Sequence, residues 1–293
     1  MSSALAERPL KRHEEAASSL LPAYARATAA SAYVLLFAGA LVTSTGSSLS
    51  VPDWPLSFGQ VMPPMLGGVL FEHGHRLIAG TVSLLTFGLA LWLSRAEKRP
   101  AVRALGYAAA FGILCQAVLG GVTVLWRLPP PVSIAHACLG QTVFCLLLAS
   151  AELQSPRYQM APRVHAGSLW RIGVLAISAL FVQLALGALV RHTGQGLIFH
   201  AGWAFVAAAC ALAAAAKGIA SPIAELGAPS TILSLAVPAQ LALGYGSYRL
   251  RFSPDFMPGV HPSAFMTAIH LAVGALILGT CVVWTLRAAR CRA

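Results

Sequence analysis

The sequence predicts an all-α membrane protein with eight transmembrane helices in two pseudo-symmetric four-helix bundles. Three observations lead to this prediction. The 293-residue chain is 57% hydrophobic and only 10% charged, and its mean hydropathy is +0.73, a composition typical of membrane proteins. Apolar runs long enough to cross a bilayer recur along the chain. A short motif returns in alternate runs, which indicates that one pair of helices is repeated.

Eight apolar runs are long enough to span a bilayer once tilt is allowed for. Numbered in chain order, spans 1 to 8 cover approximately residues 27–45, 77–94, 104–125, 133–150, 170–190, 197–216, 231–249 and 264–286. Their short connections leave no room for a separate soluble domain. We expect a tail over 1–26, an N-terminal bundle over 27–150, a linker over 151–169, a C-terminal bundle over 170–286 and a tail over 287–293.

The distribution of charge predicts the orientation of the chain. Its net charge is +11, from 20 basic and 9 acidic residues. Fifteen of the basic residues lie on the same side of the membrane as the two termini, in the tails and in or next to the connections that follow spans 2, 4 and 6. The opposite side holds the other five: Arg76, Arg127, Arg191, Arg249 and Arg251. By the positive-inside rule, both termini and the linker are cytoplasmic. The basic excess therefore sets topology in a cell (inner) membrane, among membrane lipids, and indicates no nucleic-acid partner.

Spans 3, 5 and 7 share a glutamine followed four residues later by a glycine. These sequences are Gln116-Ala-Val-Leu-Gly120, Gln183-Leu-Ala-Leu-Gly187 and Gln240-Leu-Ala-Leu-Gly244, with the looser Phe37-Ala-Gly39-Ala40 in span 1. Small residues allow helix backbones to approach closely or leave room for a flat ligand. Close helix packing explains these glycines as well as a bound ligand does.

Four histidines lie near the outer ends of spans 2, 4, 6 and 8: His75, His136, His200 and His270. An ionisable residue at membrane depth is a functional-site hypothesis by default. Neutral imidazole is a common metal ligand, and a porphyrin between two helices takes one imidazole from each side. We therefore predict two bis-histidine haem sites, pairing His75 with His136 and His200 with His270, while pairing across the bundles stays open. Zinc fits less well because its sites usually cluster three or four ligands.

Glu72 is the candidate catalytic residue. It precedes His75 by three residues and Arg76 by four, so the three side chains share one face of a helix. A carboxylate beside a haem ligand can move protons during an oxidation. The alternative is a Glu72–Arg76 ion pair that only fixes the start of the helix. His73 lies on another helical face, and the sequence assigns it no role.

Several further outer-side residues are candidates for supporting roles. Guanidinium groups pair well with carboxylates, so some outer arginines are expected to hold haem propionates while others only mark helix ends. The candidates are Arg76, Arg127, Arg191 and Arg249. The long outer loop 46–71, with Asp53 and Trp54, is expected to cap the site. The remaining outer histidines, His192 and His261, are expected to be solvated loop residues.

The Glu72-x-x-His75-Arg76 motif, the loop sequence Gly46-Ser-Ser-Leu-Ser-Val-Pro-Asp53-Trp54-Pro55 and the histidines of the even spans together resemble the haem A synthase family. The similarity covers residues 30–285. The resemblance implies an oxidoreductase that acts on a CH group, converting a methyl group of haem O to a formyl group and giving haem A for respiratory terminal oxidases. It also implies that His75 and His136 bind the substrate haem, that His200 and His270 bind a resident haem b, and that Glu72 is catalytic.

The mechanism that the resemblance implies is two successive hydroxylations of one methyl group, followed by loss of water from a geminal diol. Many family members carry a cysteine pair in an outer loop. This sequence has none there, so no thiol-based step is expected. A haem O synthase is the implied partner. The sequence identifies neither the electron acceptor, nor the source of the inserted oxygen, nor the oligomeric state, and a homo-oligomer stays open.

Two other functions compete with the synthase. A bis-histidine membrane cytochrome b would transfer electrons without substrate chemistry, but it commonly has histidines towards both faces of the bilayer and gives Glu72 no role. A transporter built from repeats would have its polar site near the bilayer midplane, whereas these polar residues collect at the outer ends. Haem O and haem A in the purified protein would indicate the synthase, and haem b alone the cytochrome.

Overall fold

The computed structural model describes residues 3–160, 168–251 and 262–290, with side chains described from Leu20 onwards except for Arg251. The regular elements within these residues are helices. They are α1 (Ser3–Ser44), α2 (Gly68–Ala96), α3 (Pro100–Leu125), α4 (Pro130–Gln154), the short α5 (Pro156–Met160), α6 (Leu169–Thr193), α7 (Leu197–Ile219), α8 (Ala224–Arg251) and α9 (Pro262–Arg290).

Eight of these helices are long and apolar enough to cross a membrane, which confirms the predicted spans. Their ends extend beyond the predicted limits. The first candidate span begins at Leu20 rather than at 27, and the last helix continues to Arg290 rather than ending at 286. Among the candidate membrane spans, the largest difference is at α2, which begins at Gly68, nine residues before the predicted start at 77. Polar residues early in α2 pair with one another and with the preceding loop, so the helix does not need an apolar sequence there.

The long helices form two groups of neighbours. Helix α1 packs against α2 and α4, and α3 packs against both α2 and α4; in the same way, α6 packs against α7 and α9, and α8 against α7 and α9. Helix α9 also contacts α1 and α4, and α4 contacts α6. We call these the first group (α1–α4) and the second group (α6–α9). The arrangement is compatible with two four-helix bundles, and the division at 27–150 and 170–286 remains a prediction.

Small residues bring the two groups together. Ala25, Ala29 and Ala32 of α1 are buried in one apolar cluster with Leu278 of α9, and such residues let helix backbones approach closely in a membrane. At the end of the molecule away from the four histidines, Arg287 of α9 forms an ion pair with Glu152 of α4, with a nitrogen–oxygen distance of 2.7 Å. The packing therefore fixes the two groups to each other and aligns their histidine-bearing ends.

Candidate functional site

The four histidines lie within the first three turns of α2, α4, α7 and α9, as predicted. Each imidazole ring contacts a glycine on the preceding long helix. A Cβ built on the glycine would lie 3.0 Å from His75 Cε1 at Gly39, 3.4 Å from His136 at Gly120, 2.9 Å from His200 at Gly187 and 3.0 Å from His270 at Gly244. At Gly187 a side chain would force the ring to shift, and at Gly39 and Gly244 the ring would have to give by a few tenths of an ångström, whereas at Gly120 the contact would be an ordinary one. Three of the four glycines therefore make room for their histidines. Close helix packing alone does not explain them.

A glutamine one turn deeper in the same helix accompanies three of these contacts. The amide nitrogen of Gln183 lies 3.5 Å from His200 Nε2, and that of Gln240 lies 3.5 Å from His270 Nε2. Such contacts orient a metal-binding histidine.

The fourth histidine has no such glutamine. Leu35 stands four residues before Gly39, where the other three glycines are preceded by glutamine. An aliphatic side chain offers neither a donor nor an acceptor to the His75 ring. The site of His75 therefore differs chemically from the other three, although its glycine contact is the same.

The rings of His200 and His270 face each other with their centroids 6.4 Å apart and their planes at 82°. Two metal–imidazole bonds of about 2 Å each, together with the distance from each nitrogen to its ring centre, give a separation of about 6 Å. The Nδ1 atoms of both rings are buried without a hydrogen-bond partner among the described residues. This pair fits an iron porphyrin bound between α7 and α9.

His75 and His136 are the two histidines of the first group. They lie within electrostatic range of each other, and their Nδ1 atoms are likewise buried with no partner in the described part of the chain. Within the described residues, no group of three or more His, Cys, Asp or Glu side chains is placed to hold a metal ion. The two imidazoles of each group are the candidate ligands, and such a pair suits a porphyrin.

Glu72 is buried, with 4% of its surface exposed. Its Oε1 accepts a hydrogen bond from Arg76 at 2.7 Å, and its Oε2 accepts one from the backbone N–H of Val51 at 2.8 Å. The predicted helical face shared by Glu72 and Arg76 is therefore confirmed, and so is the ion pair. The carboxylate also holds the preceding loop. Each carboxylate oxygen can accept more than one hydrogen bond, so both oxygens of Glu72 can still accept another.

Arg76 fastens the loop between α1 and α2 to the start of α2. Its guanidinium donates to the backbone oxygens of Asp53 at 2.7 Å and Leu56 at 2.8 Å, and to that of Val51 at 3.4 Å, besides binding Glu72. These contacts engage both terminal nitrogens of Arg76. In the structure Arg76 supports the loop, and a propionate role for it remains a prediction.

The loop lies over the first group. The ring of Trp54 packs against Gly121 of α3, where a built Cβ would lie 2.8 Å from Trp54 Cδ2, and the neighbouring Gly120 contacts His136. Ser57 in the same loop lies 2.7 Å, Oγ to Nδ1, from His73, which is 5% exposed. The sequence assigned no role to His73. In the structure it binds the loop, from a helical face that differs from the one with His75.

Asp53 organises the tip of this loop. Its carboxylate accepts hydrogen bonds from the backbone N–H groups of Phe58 at 2.7 Å and Gly59 at 2.8 Å. The N–H of Gly59 and then that of Phe58 hold the pKa of Asp53 below its ordinary value of 3.8, because they stabilise the charged form. The loop tip is therefore ordered by an ionised carboxylate.

The depressed pKa of Asp53 predicts acid loosening of the loop. A lowered pKa contributes stability that is present above the ordinary value and is lost as the pH falls through the folded-state value. Trp54 fluorescence should stay constant above about pH 4 and change below it, while in Asp53→Asn the Trp54 environment should be looser at neutral pH and insensitive to acid. The Trp54→Phe protein supplies the background of the other tryptophans. An acid transition retained in Asp53→Asn would exclude this carboxylate as its cause.

The other three candidate arginines have different surroundings. Arg191, in the last turn of α6, donates to the Ala40 backbone oxygen at 2.6 Å and to Ser44 Oγ at 2.8 Å, so it joins the two groups at the histidine end. Arg127 is exposed, and Arg249 is exposed beside Tyr245, to whose hydroxyl it donates at 3.2 Å. A propionate role for these three remains a prediction.

One outer histidine was wrongly assigned to a solvated loop. His192 lies in the last turn of α6, is half-buried, and is within electrostatic range of His136. Span 5 was predicted to end at residue 190, which left the polar Arg191-His192 pair outside the helix. The other such histidine, His261, lies outside the described residues.

Comparison with known proteins gives one family and several relatives. Residues 68–207 match the model of a family described as cytochrome oxidase assembly protein, COX15-CtaA. The chain is 33% identical over 171 residues to a protein named heme A synthase from Lysinibacillus sphaericus (strain C3-41), with 56% of each chain covered. It is 34% identical over 172 residues to the heme A synthase of Shouchella clausii (strain KSM-K16), again with 56% of each chain covered.

A third relative, the heme A synthase of Alkalihalophilus pseudofirmus, is 29% identical over 180 residues, which cover 59% of this chain and 60% of that protein. The chain thus aligns with little more than half the length of the curated relatives it matches. The family match runs from the first residue of α2 into α7, and it contains Glu72, His75, His136 and His200.

Proposed function

We propose that this chain is a haem A synthase, because residues 68–207 match the model of the COX15-CtaA family of cytochrome oxidase assembly proteins and the relatives it resembles are named heme A synthase. The proposed enzyme is an oxidoreductase that acts on a CH group, converting one methyl group of haem O to the formyl group of haem A. The first group of helices binds the substrate haem O between His75 and His136. The second group binds a resident haem b between His200 and His270.

One observation carries this proposal. Four imidazoles are collected at one end of the molecule, each against a glycine, and within the described residues a buried carboxylate, Glu72, stands beside only one of them. Two equivalent electron-carrying haems would not need that difference. A site that oxidises its haem and a site that retains its haem do need it, because only the reacting haem requires a group that accepts protons.

The differences between the two groups support the assignment of the haems. His200 and His270 each have a glutamine amide within 3.5 Å and face each other at a distance suited to one metal ion. When bound there, haem b supplies one-electron redox chemistry. His75 lacks a glutamine and adjoins the Glu72–Arg76 pair and the loop. These features suit a haem that enters, reacts and leaves.

The overall reaction adds one oxygen from water to the methyl carbon. Each hydroxylation removes two electrons and two protons from the substrate and takes up one water molecule, and the resulting geminal diol loses water to give the formyl group. The net change is therefore methyl plus water to formyl, four protons and four electrons, the electrons passing to a one-electron acceptor. Glu72 takes up protons released at the methyl group, and Arg76 holds that carboxylate in place. A haem O synthase supplies the substrate.

Extraction of the haems tests this function. The full chain is expressed in a bacterial host that makes haem O but no haem A, and the extracted haems are separated and weighed by mass spectrometry. We expect a new haem with one more oxygen and two fewer hydrogens than haem O, together with haem b in the purified protein. Haem b alone would support an electron-transfer cytochrome instead, and a haem-free protein would remove both functions.

The orientation predicted from charge is also part of the proposal: a cell-membrane protein with cytoplasmic termini and its haem sites towards the outer face. Gln60 in the loop and Lys98 between α2 and α3 are both exposed and lie at opposite ends of α2. In a background with Cys291→Ser, Gln60→Cys should react with a membrane-impermeant thiol reagent in intact cells, and Lys98→Cys should react only after permeabilisation. The reverse pattern would invert the topology and move the chemistry to the cytoplasmic face.

A further inference from the structure

A cavity of about 410 Å³ lies between the two groups at the end opposite to the histidines. Its walls include Ala30 of α1, Phe144 and Leu148 of α4, Ile232 of α8 and Leu276 of α9. Ile232 and Leu276 are 42% and 40% exposed, so the cavity is open at its side towards the surrounding membrane. We call it the inter-bundle cavity. It takes no part in the proposed haem chemistry.

The length of the cavity matches one leaflet of a bilayer. Along α9 it extends from Arg287 to Leu276, and a helix rises 1.5 Å per residue, so this distance is about 16 Å. Half of the hydrocarbon core of a bilayer is about 15 Å thick. An acyl chain of one leaflet would therefore fit along the cavity with its polar end beside Arg287.

Three arginines line the mouth of the cavity: Arg26 of α1, Arg157 of α5 and Arg287 of α9. Arg287 is neutralised by Glu152, which accepts two of its hydrogen bonds at 2.7 and 3.1 Å. Arg26 and Arg157 are exposed, and neither has an ion pair within the described residues. Among the described residues, the mouth thus carries two positive charges without an ion-pair partner.

Among the residues that the structure describes, both hydroxyl groups that line the interior already donate their hydrogen to a backbone oxygen. Tyr33 donates its hydroxyl to the Ala272 backbone oxygen at 2.9 Å, and Thr280 donates to that of Leu276 at 2.7 Å. A quinone or a porphyrin would need donors or ligands inside the cavity to fix its polar groups. An alkyl chain needs none.

We propose that the inter-bundle cavity binds an anionic phospholipid, with one acyl chain along the apolar walls and the phosphate between Arg26 and Arg157. Basic pockets between transmembrane helices on the cytoplasmic side are suited to such headgroups. The arginine end is the one that the positive-inside rule assigns to the cytoplasm. The lipid fills the space between α1, α4, α8 and α9 and so stabilises the contact between the two groups.

Native mass spectrometry of the detergent-purified full chain tests the proposal without reference to haem chemistry. After delipidation, the protein is titrated with phosphatidylglycerol, with cardiolipin and with phosphatidylcholine. We expect one tightly retained anionic lipid, and an increase of the melting temperature with the anionic lipids only. Each arginine near a headgroup contributes about fivefold in affinity, so Arg26→Gln with Arg157→Gln should weaken binding roughly 25-fold.

Two matched controls separate the cavity from the general surface. Arg95→Gln with Lys98→Gln removes two exposed charges from the same end of the molecule but outside the cavity, and should leave lipid retention unchanged. Ala30→Phe fills the cavity and should abolish retention, whereas Val34→Phe, on an exposed position of α1 that does not line it, should not. Equal retention of phosphatidylcholine, or unchanged binding in the Arg26/Arg157 double variant, would overturn the proposal.

Discussion

Glu72→Gln should retain both haems and lose nearly all formyl product. A general base contributes about 10²–10⁴-fold to a rate, so we expect haem A production to fall by a factor in that range. Glutamine has almost the same shape as glutamate and keeps an oxygen that can accept from the Val51 N–H, but it cannot take up a proton. The measurements are the haem A to haem O ratio by mass spectrometry and the total haem content by absorbance.

The structure supplies a matched control for this prediction at the opposite end of the molecule. Glu152 and Arg287 form a second buried ion pair with the same 2.7 Å distance. Glu152→Gln breaks an interaction of the same kind and should lower the melting temperature without changing the haem A to haem O ratio. Full haem A production by Glu72→Gln would remove this carboxylate from the mechanism and leave it only its contacts with Arg76 and the loop.

The second large effect should come from the paired histidines. Mutation of a residue that only supports a metal ligand lowers metal affinity about 10–100-fold. We therefore expect His200→Ala or His270→Ala, which remove a ligand itself, to deplete haem b by at least roughly tenfold. His75→Ala or His136→Ala should instead lower the haem O bound and the haem A formed while leaving haem b in place. Quantitative extraction of each haem from purified variants gives the result.

Two further measurements distinguish a lost ligand from a lost fold. Removing an imidazole leaves a space beside its glycine, so added imidazole should restore part of the missing haem in each alanine variant. His165→Ala, in the linker, should retain both haems. Loss of the same haem in all four variants would contradict two separate sites. If His136→Ala depleted haem b and His270→Ala depleted haem O, the histidines would pair across the two groups.

The sequence predicts the spans and the histidine positions because both depend on one-dimensional patterns. Runs of apolar residues determine which segments enter a bilayer, and charge at their ends determines direction. The start of α2 was predicted nine residues too late for the same reason. Glu72 and His73 are buried and Arg76 is partly buried, and these polar side chains are accommodated there because Ser57, Val51 and other residues of the loop provide partners. That pairing is tertiary and leaves no periodic signal.

The candidate site was predictable in its components and unpredictable in its contacts. The shared face of Glu72 and Arg76 follows from helical geometry, and the ion pair confirms it. The glycines had two equally good explanations until the imidazole rings were seen against them. The difference at Leu35 is visible in the sequence, but it acquires meaning only once Gly39 and His75 are known to be in contact.

The contacts of Arg76 have a thermodynamic consequence. A single guanidinium holds three backbone oxygens of the loop and one oxygen of Glu72, while the other oxygen of Glu72 holds the loop at Val51. Lifting the loop therefore breaks bonds of both side chains at once. Opening of the loop and release of the carboxylate are linked equilibria, so whatever binds under the loop and favours its closed position also favours a fully bonded Glu72, by the same free energy.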